Sequence, residues 1–189
     1  MKNRVFFLFF FLVFTSINLF AVEDSNTKSI YQLDHKWISQ QNKSYLLKEL
    51  GGLPVVTTMT FASCPGACPL MISDIKSFDK LLSKKEKNKI KYVTFSIDPA
   101  RDTPSALTKF YKKMRLDNRW LLLTSDAEQA REMAAVLGFS YKDIGDGDFT
   151  HSTSLYLLSS EGVLLARKER SSDWKEFLDK FRSEIAKKQ

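Results

Sequence analysis

The sequence predicts an α/β domain with a mixed central sheet flanked by helices. Two observations in the middle of the chain point there: residues 53–61 and 90–97 are apolar and Val/Thr/Ile-rich, as strands buried on both faces of a parallel sheet should be, and each is followed by a helix-like stretch. A third lies near the C-terminus, where residues 154–158 and 163–166 flank Ser160-Glu-Gly162 as a hairpin would, ahead of an amphipathic helix. Strands alternating with helices and ending in a hairpin require parallel and antiparallel pairing in one sheet.

Taken in order, residues 29–33 read as a short strand and residues 44–50 as a short helix ending at Gly51-Gly52. The strand at 53–61 leads into a helix on which Met71, Ile75, Phe78, Leu81 and Leu82 recur at helical spacing. After the strand at 90–97, Thr103 is a good N-cap with Pro104 at the first helical position, so a helix is expected to about Met114. Residues 120–123 then read as a strand, residues 126–137 as a helix closed by Gly138, and residues 145–148 as a polar loop. The final helix, 172–186, carries Trp174, Phe177, Leu178 and Phe181. With a cysteine pair at the start of its first long helix, this layout is thioredoxin-like.

The N-terminus has the pattern of an export signal. Lys2 and Arg4 precede an unbroken apolar run over residues 5–14, which Thr15, Ser16 and Asn18 then dilute, so the segment is short for a spanning helix. Residues 1–21 are expected to be a signal peptide, or an N-terminal membrane anchor, because Leu19 is large for the position three before a cut after Ala21. Either outcome puts residues 22–189 outside the cytosol as one domain. The net charge of +7 includes Lys2 and Arg4. The Lys-rich stretch 84–91 and the tail Lys187-Lys188 read as solvated helix ends, and no basic stripe interleaved with aromatics argues for nucleic acid.

The chemistry centres on Cys64 and Cys68, the two cysteines of the chain, in Phe61-Ala-Ser-Cys-Pro-Gly-Ala-Cys-Pro-Leu70. On a helix, residues four apart share a face, and the N–H groups at a helix start favour thiolate over thiol. The pair is therefore a soft-metal clamp or a redox dithiol. A purely structural disulfide here would close a very small loop and stabilise by only roughly 2 kcal/mol. Inert buried thiols are the other plain alternative.

The chain has two histidines, His35 and His151. His35 sits in a turn-like polar context and reads as a surface imidazole. His151, in Asp148-Phe-Thr-His-Ser152 ahead of the hairpin, is where a thioredoxin-like fold approaches the first helix start. Two sulfurs and an imidazole suit Cu(I), and imidazole also tolerates Cu(II). A closed zinc site of three or four thiolates is excluded by the cysteine count. Met59 and Met71 read as core residues, with a thioether ligand for copper as the lesser alternative, and Asp98, Arg101 and Asp102 as a capped loop with a local ion pair, the alternative being support of the metal ligands or docking of a partner.

Cys64-Pro-Gly-Ala-Cys68-Pro69, Asp98-Pro-Ala-Arg-Asp-Thr-Pro104 and His151-Ser152 together resemble the Sco (SenC/PrrC) family over residues 31–167. The resemblance implies a thioredoxin-like, periplasmic or membrane-tethered protein on the outer face of a bacterial cytoplasmic membrane. It implies one copper held by Cys64, Cys68 and His151, and a metallochaperone rather than an enzyme. Its partner would be the copper-bearing subunit of cytochrome c oxidase or another cuproprotein. The action would be assembly of the oxidase's binuclear copper site, by copper delivery or by reduction of the recipient's cysteines. The rival is a thiol-disulfide oxidoreductase, in which Cys64 and Cys68 form the redox dithiol. All five prolines lie at or before position 104, so none stands opposite the dithiol where a thioredoxin-type enzyme keeps one, and His151 occupies that approach.

Overall fold

A computed structural model describes residues 29–187, and the expected signal or anchor at residues 1–21 lies outside them. The core is parallel, as the apolar runs predict. Strand β3 (Val55–Thr60) pairs in parallel with β4 (Lys91–Ser96), and β4 with β5 (Trp120–Thr124). Successive strand residues face opposite sides, so burial of every residue of β3 means that both faces of the sheet are covered there.

Antiparallel strands extend the sheet on both sides. β1 (Lys36–Ser39) pairs with β5 and with β2 (Ser44–Leu46), while β8 (Leu155–Leu158) pairs with β3 and β9 (Leu164–Lys168) with β8. The order is β2-β1-β5-β4-β3-β8-β9, a mixed seven-stranded sheet. A separate hairpin, β6 (Tyr141–Gly145) and β7 (Asp148–His151), stands outside it.

Helix α1 (Ala67–Lys80) follows β3, and a single turn, α2 (Lys84–Lys87), is closed by a Ser83/Glu86 capping box. α3 (Pro104–Lys113) opens as expected, with the Thr103 hydroxyl accepting from the Ala106 N–H at 3.2 Å. In α4 (Ala127–Leu137) Asp126 accepts from the N–H groups of Glu128 and Gln129 at 2.9 Å each. Gly138 ends that helix at φ +64°, a conformation glycine adopts without penalty. The last helix, α5 (Lys175–Ala186), docks on α1 through Phe78, whose ring lies 5.2 Å from Phe177 and 5.9 Å from Phe181.

The N-terminal elements differ from expectation. Residues 29–33 form a 3-10 turn (Ile30–Gln32), because the Ser29 hydroxyl accepts from the Tyr31 N–H and pulls the chain round. Residues 44–50 are not one helix. Their first half is β2, recruited by pairing with β1, and their second half is a 3-10 turn (Leu47–Leu50) whose Glu49 carboxylate accepts from the Leu46 N–H. β1 itself hides in a polar stretch, held by the buried Trp37 ring 4.8 Å from Phe95. The polar loop at 145–148 is the tip of the β6–β7 hairpin.

Candidate metal centre

The β3–α1 loop delivers both sulfurs to one point. The Cys64 N–H donates to the Phe61 carbonyl at 3.2 Å, turning the chain at the end of β3. Cys64 precedes the helix, whose N-cap is Gly66, so the two cysteines do not share a helix face as the spacing suggested. Their convergence comes from capping instead. Gly66 has no side chain to cap α1, and the Cys64 Sγ accepts from the Cys68 N–H at 3.3 Å. The Cys68 Sγ in turn accepts from the Phe61 N–H at 3.4 Å.

Both cysteines are free thiols and both are buried, Cys64 at 5% and Cys68 at 0% exposure, beneath the exposed Pro65 and Gly66. The expectation that the helix start would favour the thiolate fails at Cys68. Burial pushes its thiol well above the ordinary range, and the Phe61 N–H opposes that only in part, while Cys64 and Asp102 add to the rise.

His151, at the end of β7, brings Nε2 to 3.8 Å from the Cys68 Sγ. Its Nδ1 lies 2.7 Å from the Ser152 carbonyl, which can only accept, so Nδ1 carries a proton, and in the neutral ring Nε2 is then left as the lone-pair atom facing the sulfur. The imidazole sits between Phe139, stacked at 5.8 Å, and Phe61, edge-on at 5.9 Å. Among the described residues, Cys64, Cys68 and His151 form the one group of three or more such side chains with converging donor atoms, all within 4.8 Å of one another. An ion about 2.3 Å from a sulfur and about 2.0 Å from an imidazole nitrogen spans a donor separation of about 3.6 Å, close to the Cys68–His151 gap. The donor set fits a soft metal.

The other singled-out residues fall around this cluster or away from it. His35 is remote, half-exposed and paired with Glu132 at 2.7 Å. Met59 and Met71 are wholly buried in the core. Asp98 and Arg101 make the expected ion pair.

Asp102 takes the supporting place beside the cysteine loop, the alternative to a plain capped loop. Almost fully buried, its carboxylate accepts from the Ala62 N–H at 3.0 Å and the Ser96 hydroxyl at 2.6 Å, bracing the segment two residues before Cys64. Its presence in the Asp98–Pro104 motif was the available signal. The contact to Ala62 lies 40 residues away in sequence and leaves no local trace.

The fold and the cluster together define a thioredoxin-like domain with two sulfurs and one imidazole at the first helix start. The SCO1/SenC family model matches residues 23–186, and the chain belongs to that family. It is 29% identical over 131 residues to the "SCO1 protein homolog" of Bacillus subtilis (strain 168), covering 67% of each chain. Among solved structures, copper-bound ScoI of Arabidopsis thaliana is 25% identical with a TM-score of 0.68, covering 80% of this chain and 96% of that one. A SCO1/SenC family lipoprotein of Bacillus anthracis str. Ames superposes with a TM-score of 0.72 at 24% identity, over 80% of this chain and 92% of that one, a likeness of fold.

Proposed function

We propose that this chain is a copper chaperone that binds one copper through Cys64, Cys68 and His151 and serves assembly of the binuclear copper site of cytochrome c oxidase. The observation that carries the reading is the convergence of two sulfurs and an imidazole nitrogen from two separate parts of the fold. Two soft thiolates and an imidazole are a Cu(I) set, with the imidazole accommodating Cu(II). Copper bound in the Arabidopsis relative supports the choice of metal.

In this reading the sulfurs release their protons as the metal enters, and the cation compensates a negative charge that burial makes costly at Cys68. His151 supplies the third donor from a hairpin that is not part of the main sheet. Residues 1–21 act as signal or anchor and residues 22–189 as the copper-binding domain. The protein works in the periplasm or on the outer face of the cytoplasmic membrane, which accords with the lipoprotein of similar fold. No helix among the described residues is long and apolar enough to cross a membrane.

A second reading rests on the same two free thiols. Cys64 and Cys68 would give two electrons and two protons to a disulfide of the recipient, becoming a disulfide themselves while the recipient's cysteines are freed as thiols. The test is Cu(I) titration of the reduced full chain against a strong chelator. One copper per chain is expected, abolished in Cys64→Ser and Cys68→Ser and weakened in His151→Ala. Unaltered affinity in the double cysteine variant would refute copper binding at this site, and oxidase assembly that survives His151→Ala but not Cys64→Ser would favour the reductant.

A further inference from the structure

The β6–β7 hairpin that ends in His151 packs Tyr141 and Phe149 against the core but makes few hydrogen bonds to other elements. Its strands pair only with each other, and its base is closed by the Ser152 N–H to the Ser140 carbonyl at 2.8 Å and the Ser140 N–H to the Ser152 Oγ at 3.0 Å. The tip turns through positive φ at Gly145, Asp146 and Gly147. Between base and tip, Phe149 packs on Phe61, and one side chain from another element reaches across to hydrogen-bond the hairpin. Arg101, on the β4–α3 loop, is held by the Asp98 carboxylate through its Nε and donates a second N–H to the Gly147 carbonyl. Its guanidinium also lies 5.9 Å from the centre of the Phe149 ring, which packs at 5.1 Å against Phe61, the residue that donates to the Cys68 sulfur.

We propose that Arg101 is a positioning residue of the metal centre, a latch that ties the hairpin to the β4–α3 loop and so fixes His151 relative to the two cysteines. The cysteines need no such help, because the β3–α1 loop is set by the core on both sides. His151 does, since a ligand must be held to within about half an ångström of its productive place. A guanidinium suits the task, since its planar fork meets Asp98 with one edge and a carbonyl with another, which the single ammonium of lysine cannot do in the same plane. The proposal rests on the copper reading for its consequence but not for its geometry.

The test compares wild type, Arg101→Ala, Arg101→Lys and Asp98→Asn as purified full chains in mild detergent. In the reduced, metal-free protein, amide exchange across residues 141–151 is expected to quicken about tenfold in Arg101→Ala, the scale of one charge-assisted hydrogen bond, with exchange in β3 and β4 unchanged. Arg101→Lys and Asp98→Asn should fall between Arg101→Ala and wild type. With copper, Arg101→Ala should weaken Cu(I) binding about tenfold on the same scale and alter the Cu(II) spectrum. In a His151→Ala background it should do neither, because the latch acts only through that ligand. Unchanged hairpin exchange would overturn the latch, as would an equal loss of affinity with and without His151. A wild-type protein that binds no copper would instead defeat the copper reading and leave the exchange experiment to decide the latch by itself.

Discussion

Replacing the buried Asp102 by asparagine should change how stability depends on pH in a window that other groups leave clear. Burial, with the nearby Asp98 charge, pushes the Asp102 carboxyl up from 3.8 to about 6, against the hydrogen bonds from Ser96 and Ala62 that favour its ionised form. An acid whose folded value is raised holds its proton more tightly in the native state. Its contribution is therefore fully present below about pH 4 and is lost as the pH rises through about 6. At about 1.36 kcal/mol per unit, a rise of about two units corresponds to about 3 kcal/mol, an upper figure for one group.

In Asp102→Asn the amide would keep an acceptor for the Ala62 N–H and could donate to the Ser96 hydroxyl, so geometry survives while the buried charge is removed. The expected result is a variant close to wild type at pH 4 and more stable at pH 7, by up to about 3 kcal/mol. Other shifted carboxyls act lower. At Asp79 burial works upward but Arg119, Tyr92 and Lys87 outweigh it, and Arg182 and Ser83 hold Glu86 down, so both lie at about 2. Their contributions are present above about pH 4.5 and are lost toward pH 2, outside the Asp102 window. Urea unfolding of the reduced, metal-free protein, followed by Trp fluorescence from about pH 3.5 to 7.5, reads the difference directly. Parallel stability curves for the two proteins over pH 4 to 7 would refute the reasoning.

Two further outcomes are expected. Thiol labelling of the folded, metal-free protein at neutral pH should modify Cys64 before Cys68, because Cys68 is fully buried and its thiol is pushed up; equal rates measured by mass spectrometry would contradict this. His35→Ala should leave copper stoichiometry and affinity unchanged and alter stability by no more than about 0.5 kcal/mol in thermal or urea unfolding, since its pair with Glu132 is half-exposed.

The parts of the fold legible in the sequence are those whose signal is local. β3 and β4 are recognisable as apolar runs because both of their faces are buried, and α3 and α4 because Thr103-Pro104, Asp126 and Gly138 cap them with their own side chains or backbone. β1 and β2 are written in their partners instead. Lys36 and Ser44 are polar and exposed, and only the pairing of Trp37 with Tyr45 and the packing of Trp37 on Phe95 make those segments strands. The β6–β7 hairpin eluded the same reading because it is mostly solvated, so its alternation carries no apolar stripe. The cysteine run was legible as chemistry, but the route by which the sulfurs meet was not. Helical periodicity suggested one face, whereas the loop before Gly66 lets a sulfur take the place of the missing cap.

That capping arrangement bears on the choice between the two functional readings. Each sulfur accepts a backbone N–H, so each is supported as an electron-rich atom, yet Cys68 is so deeply buried that its ionisation alone is disfavoured. A free thiolate needs either solvent or a cation, and beside Cys68 stands the His151 Nε2, which in the neutral ring with its proton on Nδ1 is itself an electron-pair donor. Three electron-pair donors facing one another repel in the ionised state unless something positive lies between them. A dithiol built for nucleophilic attack gains from a neighbouring imidazolium, which would lower the thiol instead. The Nδ1 contact to the Ser152 carbonyl fixes the ring in either protonation state, so it is the convergence of all three donor atoms within 4.8 Å, two sulfurs and a nitrogen rather than one sulfur beside the ring, that ranks copper binding ahead of disulfide exchange.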